Sequence, residues 1–262
     1  MSKKFFIPAL GALLAAFWTA DQILWQDRET GFCAVGSAWP RYLLVLLVLA
    51  AALLPALRRS REKTVLLKNT PALAALRIGM ALCAAAAGTL FLLPAFSSGY
   101  DLWKLALGAL LLVTAVWLGL RCRLGREESL TRPEANALGG TAAALSLYVL
   151  TLERFVAHQT GLARVGATMS IFSAVAALLL AGYWLRLAYL PNEASPRGLY
   201  LRGVPAFLLC TCLELPQSLC QARFGLLSPA ELLCSLGLAL FGLAGLLAAV
   251  QSGSQSRAEA KE

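Results

Sequence analysis

The residue that most needs a chemical explanation is Glu214, a carboxylate inside a strongly apolar stretch. It follows Arg202 by twelve residues, which is about 18 Å along an α-helix. A short side chain at that depth does not reach water comfortably, and a charge at the centre of a membrane-spanning helix costs at least about 2.5–3.5 kcal/mol. A carboxylate in this position must be paired, carry a proton or line a polar space.

Polar residues accompany Glu214 on one face of the same helix. At about 100° per residue, that face carries Cys210, Thr211, Glu214, Gln217, Ser218 and Gln221. Pro216 lacks an amide hydrogen, so it frees the carbonyl group of Cys212 and predicts a kink. Within a bilayer a polar face turns toward other helices or a water-filled cavity. The polar face therefore has two interpretations. It takes part in an interhelical hydrogen-bond network, with Glu214 protonated or paired, or it forms a wall of an outward-facing cavity for a cation, a proton or a small polar solute.

Two further carboxylates, Asp21 and Glu153, lie late in the first and fifth apolar stretches. If those stretches surround the seventh, both carboxylates join Glu214 in an acidic vestibule at the outer face. A simpler interpretation places them at the level of the lipid headgroups, with Glu153 beside Arg154. The sequence leaves both interpretations open.

Residue patterns for catalysis are missing from the sequence. The chain has one histidine, His158, so neither a catalytic triad nor a two-histidine zinc motif has a basis. The seven cysteines include no CxxC pair, and no cofactor or metal site is expected. One disulfide among Cys33, Cys220 and Cys234 would be compatible with their expected place near the outer face. These patterns favour a protein that is not an enzyme.

The elements that carry these residues are expected to be membrane-spanning helices. Of the 262 residues, 59% are apolar and 14% charged, whereas soluble domains have about 45–50% apolar and about 25% charged residues. This composition excludes a single soluble core, intrinsic disorder and a disulfide scaffold. Basic clusters between the apolar stretches explain the formal charge of +9 better than nucleic-acid binding does. The expected partner is the lipid bilayer.

Eight stretches are long enough to cross a hydrocarbon core of about 30 Å as helices. They are roughly 5–25, 40–57, 72–94, 102–120, 135–152, 168–190, 203–221 and 230–250. The fifth is the weakest, because it contains Gly139 and Gly140. Thr70 and Ser228 each precede a proline and predict helix starts, and Glu231 has the capping-box spacing from Ser228.

The distribution of basic residues orients these helices. With the N-terminus inside, sixteen Lys and Arg residues lie on inner segments and six on outer segments, as the positive-inside rule requires. The expected fold class is an all-α integral membrane protein with eight transmembrane helices in four helical hairpins, N-in/C-in. Residues 1–262 are expected to form one polytopic domain, with 251–262 as a short polar cytoplasmic tail. Its compactness favours the plasma membrane of a bacterium.

Two functions fit this architecture. The first is a small transporter or permease-like protein with a polar, outward-facing site on the seventh helix, around Glu214, Gln217 and Gln221. The second is a non-catalytic membrane subunit or scaffold that acts with a protein partner or as a homo-oligomer, since a basic cytoplasmic face suits docking. The sequence does not identify a substrate.

Overall fold

Long helices make up nearly all of the structure, a computed structural model that describes residues 5–27, 32–34, 36–58, 70–95, 102–124, 137–157, 163–189 and 195–258. Within these ranges the chain is all-helical apart from turns and one isolated β-bridge, between Gln26 and Cys33. This confirms the all-α class.

Helical segments run through each of the apolar stretches. They are α1 Phe6–Leu24, α2 Trp39–Leu53 with a 3-10 turn Leu54–Arg58, α3 Pro71–Ala95, α4 Leu102–Leu124, α5 Ala137–Ala157, α6 Val165–Tyr189, α7 Pro196–Ala206, a π-helix Phe207–Glu214, α8 Leu215–Arg223 and α9 Pro229–Ala258. The segments α7, π-helix and α8 follow one another without a break, and we call this unit the central helix. The last helix, α9, continues into the expected polar tail as far as Ala258.

Seven helices of the described chain are long and apolar enough to cross a membrane, with the central helix counted as one of them. The exception among the long helices is α5, which has 21 residues but carries two glycines and the adjacent charges of Glu153 and Arg154. The protein is therefore a multi-pass membrane protein, and the stretch that is weakest in the sequence is the one outside these seven helices.

The central helix lies inside the bundle. It contacts α1, α2, α6 and α9, and 67% of its membrane-spanning window is buried within the protein, compared with 22% for α2 and for α4. The remaining helices form a chain of contacts in which α9 packs on α3, α3 on α4, α4 on α5 and α5 on α6. Most of the central helix is thus covered by other helices of the protein.

Close backbone contacts fix α9 against the central helix. A Cβ atom at Gly242 would lie 2.6 Å from the carbonyl oxygen of Ala206, and one at Gly203 would lie 2.5 Å from that of Gly245. Glycine is needed at both crossings, because small residues let helix backbones approach closely where lipid removes the hydrophobic driving force. This packing sets the distance between side chains of α9 and those of the central helix.

The structure confirms two helix starts and does not contain the disulfide considered above. The Thr70 hydroxyl accepts a hydrogen bond from the Leu73 amide at 3.4 Å. The Ser228 hydroxyl accepts from the Glu231 amide at 3.3 Å, and the Glu231 carboxylate accepts from the Ser228 amide at 2.8 Å, a capping box. The sulfur atoms of Cys33, Cys220 and Cys234 are free thiols.

Candidate functional site

Glu214 forms a buried ion pair with Arg154. Nη2 of Arg154 donates to Oε1 of Glu214 at 2.7 Å, and the two side chains are 9% and 3% exposed. Glu214 is the last residue of the π-helix and lies nine residues before the end of α8 at Arg223, about 14 Å along a helix. Because Arg154 is in the last turn of α5, its long side chain reaches down to this carboxylate.

Two serines complete the hydrogen bonds around the pair. Ser235 of α9 donates its hydroxyl to Oε1 of Glu214 at 2.9 Å, and the hydroxyl of Ser170 in α6 lies 3.5 Å from the same oxygen. The backbone carbonyl of Ser170 accepts from Nη1 of Arg154 at 2.8 Å. The pair therefore joins α5, α6, α9 and the central helix.

The second oxygen of the Glu214 carboxylate differs sharply from the first. Oε2 is buried and has no hydrogen-bond partner among the described residues. Leaving a buried polar atom unsatisfied costs about 1–3 kcal/mol, and more for a charged group. A proton, a water molecule or a hydrogen-bond donor of a bound solute would remove this cost by bonding to Oε2.

This carboxylate lines a polar cavity of about 340 Å³ formed mainly by α1, α5, α6, α8 and α9. Of the eight candidate site residues from the sequence, five line it: Glu153, Glu214, Gln217, Ser218 and Gln221. Gln22 also lines it, and its Nε2 is buried with no partner within the described chain. The cavity thus contains both an unsatisfied acceptor and an unsatisfied donor.

Gln217 is positioned by two other helices. The indole Nε1 of Trp18, a fully buried residue of α1, donates to its Oε1 at 3.4 Å. Gly166 of α6 leaves space beside it, since a Cβ atom there would lie 3.1 Å from Nε2 of Gln217. The amide side chain is therefore held at the cavity wall.

Cys210 and Thr211 do not line this cavity. The Cys210 thiol donates to the carbonyl of Ser173 in α6 at 3.2 Å, and the Thr211 hydroxyl donates to the carbonyl of Ala239 in α9 at 2.7 Å. A π-helix has i→i+5 hydrogen bonds, so each residue turns through a smaller angle than in an α-helix. The smaller turn moves Thr211 away from the face that a regular α-helix predicts, and both residues bond to neighbouring helices instead of lining the cavity.

Asp21 also lies outside the cavity lining. It is 1% exposed and accepts hydrogen bonds from Nε of Arg41 and Nε2 of Gln26, each at 2.7 Å. The sequence suggests either a residue at the level of the lipid headgroups or a carboxylate of the vestibule. Neither interpretation includes the buried ion pair that Asp21 forms between α1 and α2. Of the two carboxylates expected in a vestibule, Glu153 is the one that lines the cavity.

The sequence patterns missed three members of the site: Arg154, Ser170 and Ser235. Arg154 is adjacent to Glu153 near a helix end, where arginine ordinarily reaches water, so it is expected among the outer loop charges. The available signal is the depth of Glu214, which requires a cation or a proton close by. That signal does not say which arginine is the partner.

The charged lining of the cavity is more acidic than basic. Its carboxylates are Asp27, Glu153, Glu214 and Glu231, and its cations are Arg154 and Arg164. In the part of the chain that the structure describes, no group of three or more His, Cys, Asp or Glu side chains could hold a metal ion. The lining favours solutes that carry positive charge or hydrogen-bond donors.

The chain matches no known family model, no curated protein and no solved structure. The functional conclusion therefore depends on the geometry of the polar cavity.

Proposed function

We propose that the protein is a small, permease-like transporter of cationic or donor-bearing solutes, with its substrate site in the polar cavity around Glu214, Gln217 and Gln221. The observation that carries the proposal is Oε2 of Glu214, a buried acceptor without a donor among the described residues, on a side chain that lines a cavity of about 340 Å³. Ionisable residues inside membranes commonly mark ion and substrate pathways.

The π-helix supports this proposal. Such segments are frequent at functional sites, and interrupted membrane helices form the substrate sites of many transporters. Here Pro205 lies inside α7, and Pro216 lies at the start of α8. Each proline removes a backbone donor, so the stretch between them bends more easily than a regular α-helix.

The ion pair supplies a way to couple binding to movement. Arg154 holds Oε1 of Glu214 at 2.7 Å, which leaves Oε2 for the solute. A cation that reaches Oε2 shares the negative charge with Arg154 and weakens its attraction to the carboxylate. The solute thereby loosens α5 from the central helix, and its departure restores the pair.

The proposal includes one polytopic domain of eight spans in four hairpins, with both termini cytoplasmic and the polar cavity open to the outside of a bacterial plasma membrane. Arg41 and Arg154, two of the six outer arginine and lysine residues, are buried in ion pairs. Four outer residues then remain against sixteen inner ones, which strengthens the bias. Reporter enzymes fused after Ser60 and after Ser98 should report opposite compartments, and a shared compartment would contradict this orientation.

Cys220 lines the polar cavity, so the reactivity of its thiol reports whether the charge in the cavity is negative or positive. In a variant that retains this cysteine alone, a cationic methanethiosulfonate reagent should react faster than an anionic one of similar size. A variant that retains only Cys33, which is outside the cavity lining, provides the control and should show little preference. Glu214→Gln should weaken the preference at Cys220, because three carboxylates then face two arginines.

Transport itself is measured in proteoliposomes with a panel of small organic cations and neutral amines. Solutes that are carried should also protect Cys220 from the cationic reagent, and Glu214→Gln should abolish both effects. A protein that shows neither uptake nor protection, but copurifies with a stoichiometric companion, would replace this function with the membrane-subunit alternative.

A further inference from the structure

A second cavity, of about 150 Å³, lies between α3, α4, α5, α6 and α9. Leu150 and Cys234 line both this cavity and the polar one, so these two side chains mark the boundary between them. Half of the residues that line the second cavity are leucines and alanines. We call it the apolar cavity.

The polar side chains that line the apolar cavity are mainly donors. Nε1 of Trp184 and the hydroxyl of Tyr189 are buried, and neither has a hydrogen-bond partner in the described ranges. Arg77, which is 5% exposed, and Trp117 line the same cavity. The described lining contains no aspartate or glutamate. It combines an apolar wall, a positive charge and unsatisfied donors.

The aromatic donors lie on adjoining walls. A Cβ atom at Gly140 would be 3.4 Å both from Cζ2 of Trp117 and from the hydroxyl oxygen of Tyr189, so α4 and α6 meet at this glycine of α5. Trp184 is held by an edge-on contact with Phe241 of α9, with ring centroids 5.4 Å apart. The donors are therefore fixed by packing.

We propose that the apolar cavity binds an anionic membrane phospholipid. Its phosphate accepts hydrogen bonds from Trp184 and Tyr189 and faces the positive charge of Arg77, while the first part of an acyl chain lies among the leucines. A cavity of about 150 Å³ in another protein admits a benzene-sized molecule, so the rest of the lipid stays in the bilayer. A phosphate presents several strong acceptors, whereas a zwitterionic headgroup also brings a cation toward Arg77.

This site does not depend on the proposed transport function, and fluorescence tests it separately. The full chain is reconstituted in phosphatidylcholine vesicles with increasing fractions of phosphatidylglycerol brominated on its acyl chains. Bromine quenches tryptophan at close range, and Trp117 and Trp184 line the cavity. Quenching should exceed that given by brominated phosphatidylcholine at the same mole fraction. Soluble glycerol phosphate should not reduce this excess, because it lacks the acyl chain.

Matched variants separate lipid charge from cavity shape. Arg77→Gln should remove the excess quenching, whereas Arg186→Gln, which removes the same charge from an exposed position on α6, should retain it. Ala143→Leu fills the cavity without changing its charge, and Tyr189→Phe removes one donor. Ala143→Leu should abolish the excess quenching, and Tyr189→Phe should reduce it. If Arg77→Gln does not fold, these two variants still test whether the lipid binds in the cavity. Equal quenching by the two lipids, or an excess that survives Ala143→Leu, would overturn the proposal.

Discussion

Arg154 and Glu214 are separated by 60 positions in the chain, and their charged groups lie 2.7 Å apart in the bundle. The contact ties α5, the long helix outside the seven candidate membrane spans, to the central helix, which is the most buried of the seven. Apolar residues in place of a buried ion pair often stabilise a protein as well or better. The buried pair is therefore weak evidence for stability alone, and its place beside the polar cavity agrees with the proposed role in binding.

Arg154→Gln should lower the free energy of unfolding by about 3–5 kcal/mol, because it leaves the Glu214 carboxylate buried without its cation. The double variant Arg154→Gln/Glu214→Gln should recover much of this loss. Thermal unfolding in one detergent measures both. Arg164→Gln is the control, since Arg164 lines the same cavity but stacks on Phe32 at 4.8 Å. A double variant no more stable than Arg154→Gln would contradict the assignment.

Asp21→Asn tests the other buried ion pair, between Asp21 and Arg41 at 2.7 Å. The loss of stability should again be about 3–5 kcal/mol, because Arg41 remains buried without its anion. Asp21 does not line the polar cavity, so the preference of Cys220 for a cationic thiol reagent should persist. Loss of that preference in a folded variant would show that the α1–α2 pair takes part in the site.

Thr211→Val tests what holds the π-helix in place. It removes the hydrogen bond from the Thr211 hydroxyl to the carbonyl of Ala239 in α9, which is 2.7 Å long. Interhelical hydrogen bonds in membrane proteins contribute about 0.6 kcal/mol on average and about 1.7 at most. Thr19→Val is the matched control, since the Thr19 hydroxyl bonds within its own helix, to Ala15, at 2.8 Å. Equal stability of the two variants would mean that the interhelical bond contributes nothing.

The helices could be predicted because hydropathy is a local property of the chain. Each stretch must cover the hydrocarbon with its own residues, and the caps at Thr70 and Ser228 depend on neighbours only three residues away. The depth of Glu214 is local in the same sense, and it predicts a carboxylate that must be paired, carry a proton or line a polar space.

The partners of these groups could not be predicted, because they depend on which helices are neighbours. Arg154 and Ser235 approach Glu214 only through the packing of α5 and α9 on the central helix. The π-helix could not be predicted from its own sequence either, because its side chains bond to the carbonyl groups of Ser173 and Ala239 on other helices. In a regular α-helix, which the sequence predicts, Thr211 would lie on the same face as Glu214.

Ser235→Ala should change stability and solute binding in opposite directions. The hydroxyl of Ser235 donates to Oε1 of Glu214 at 2.9 Å, and a hydrogen bond to a charged group contributes about 1.5–3 kcal/mol. Its loss should lower the unfolding temperature. It also leaves the carboxylate with one donor fewer, so a cationic solute should protect Cys220 at a lower concentration. Ser252→Ala, at a buried serine that bonds within its own helix to Ala249 at 2.9 Å, should leave protection unchanged. Weaker protection in Ser235→Ala would mean that the solute does not interact with the Glu214 carboxylate.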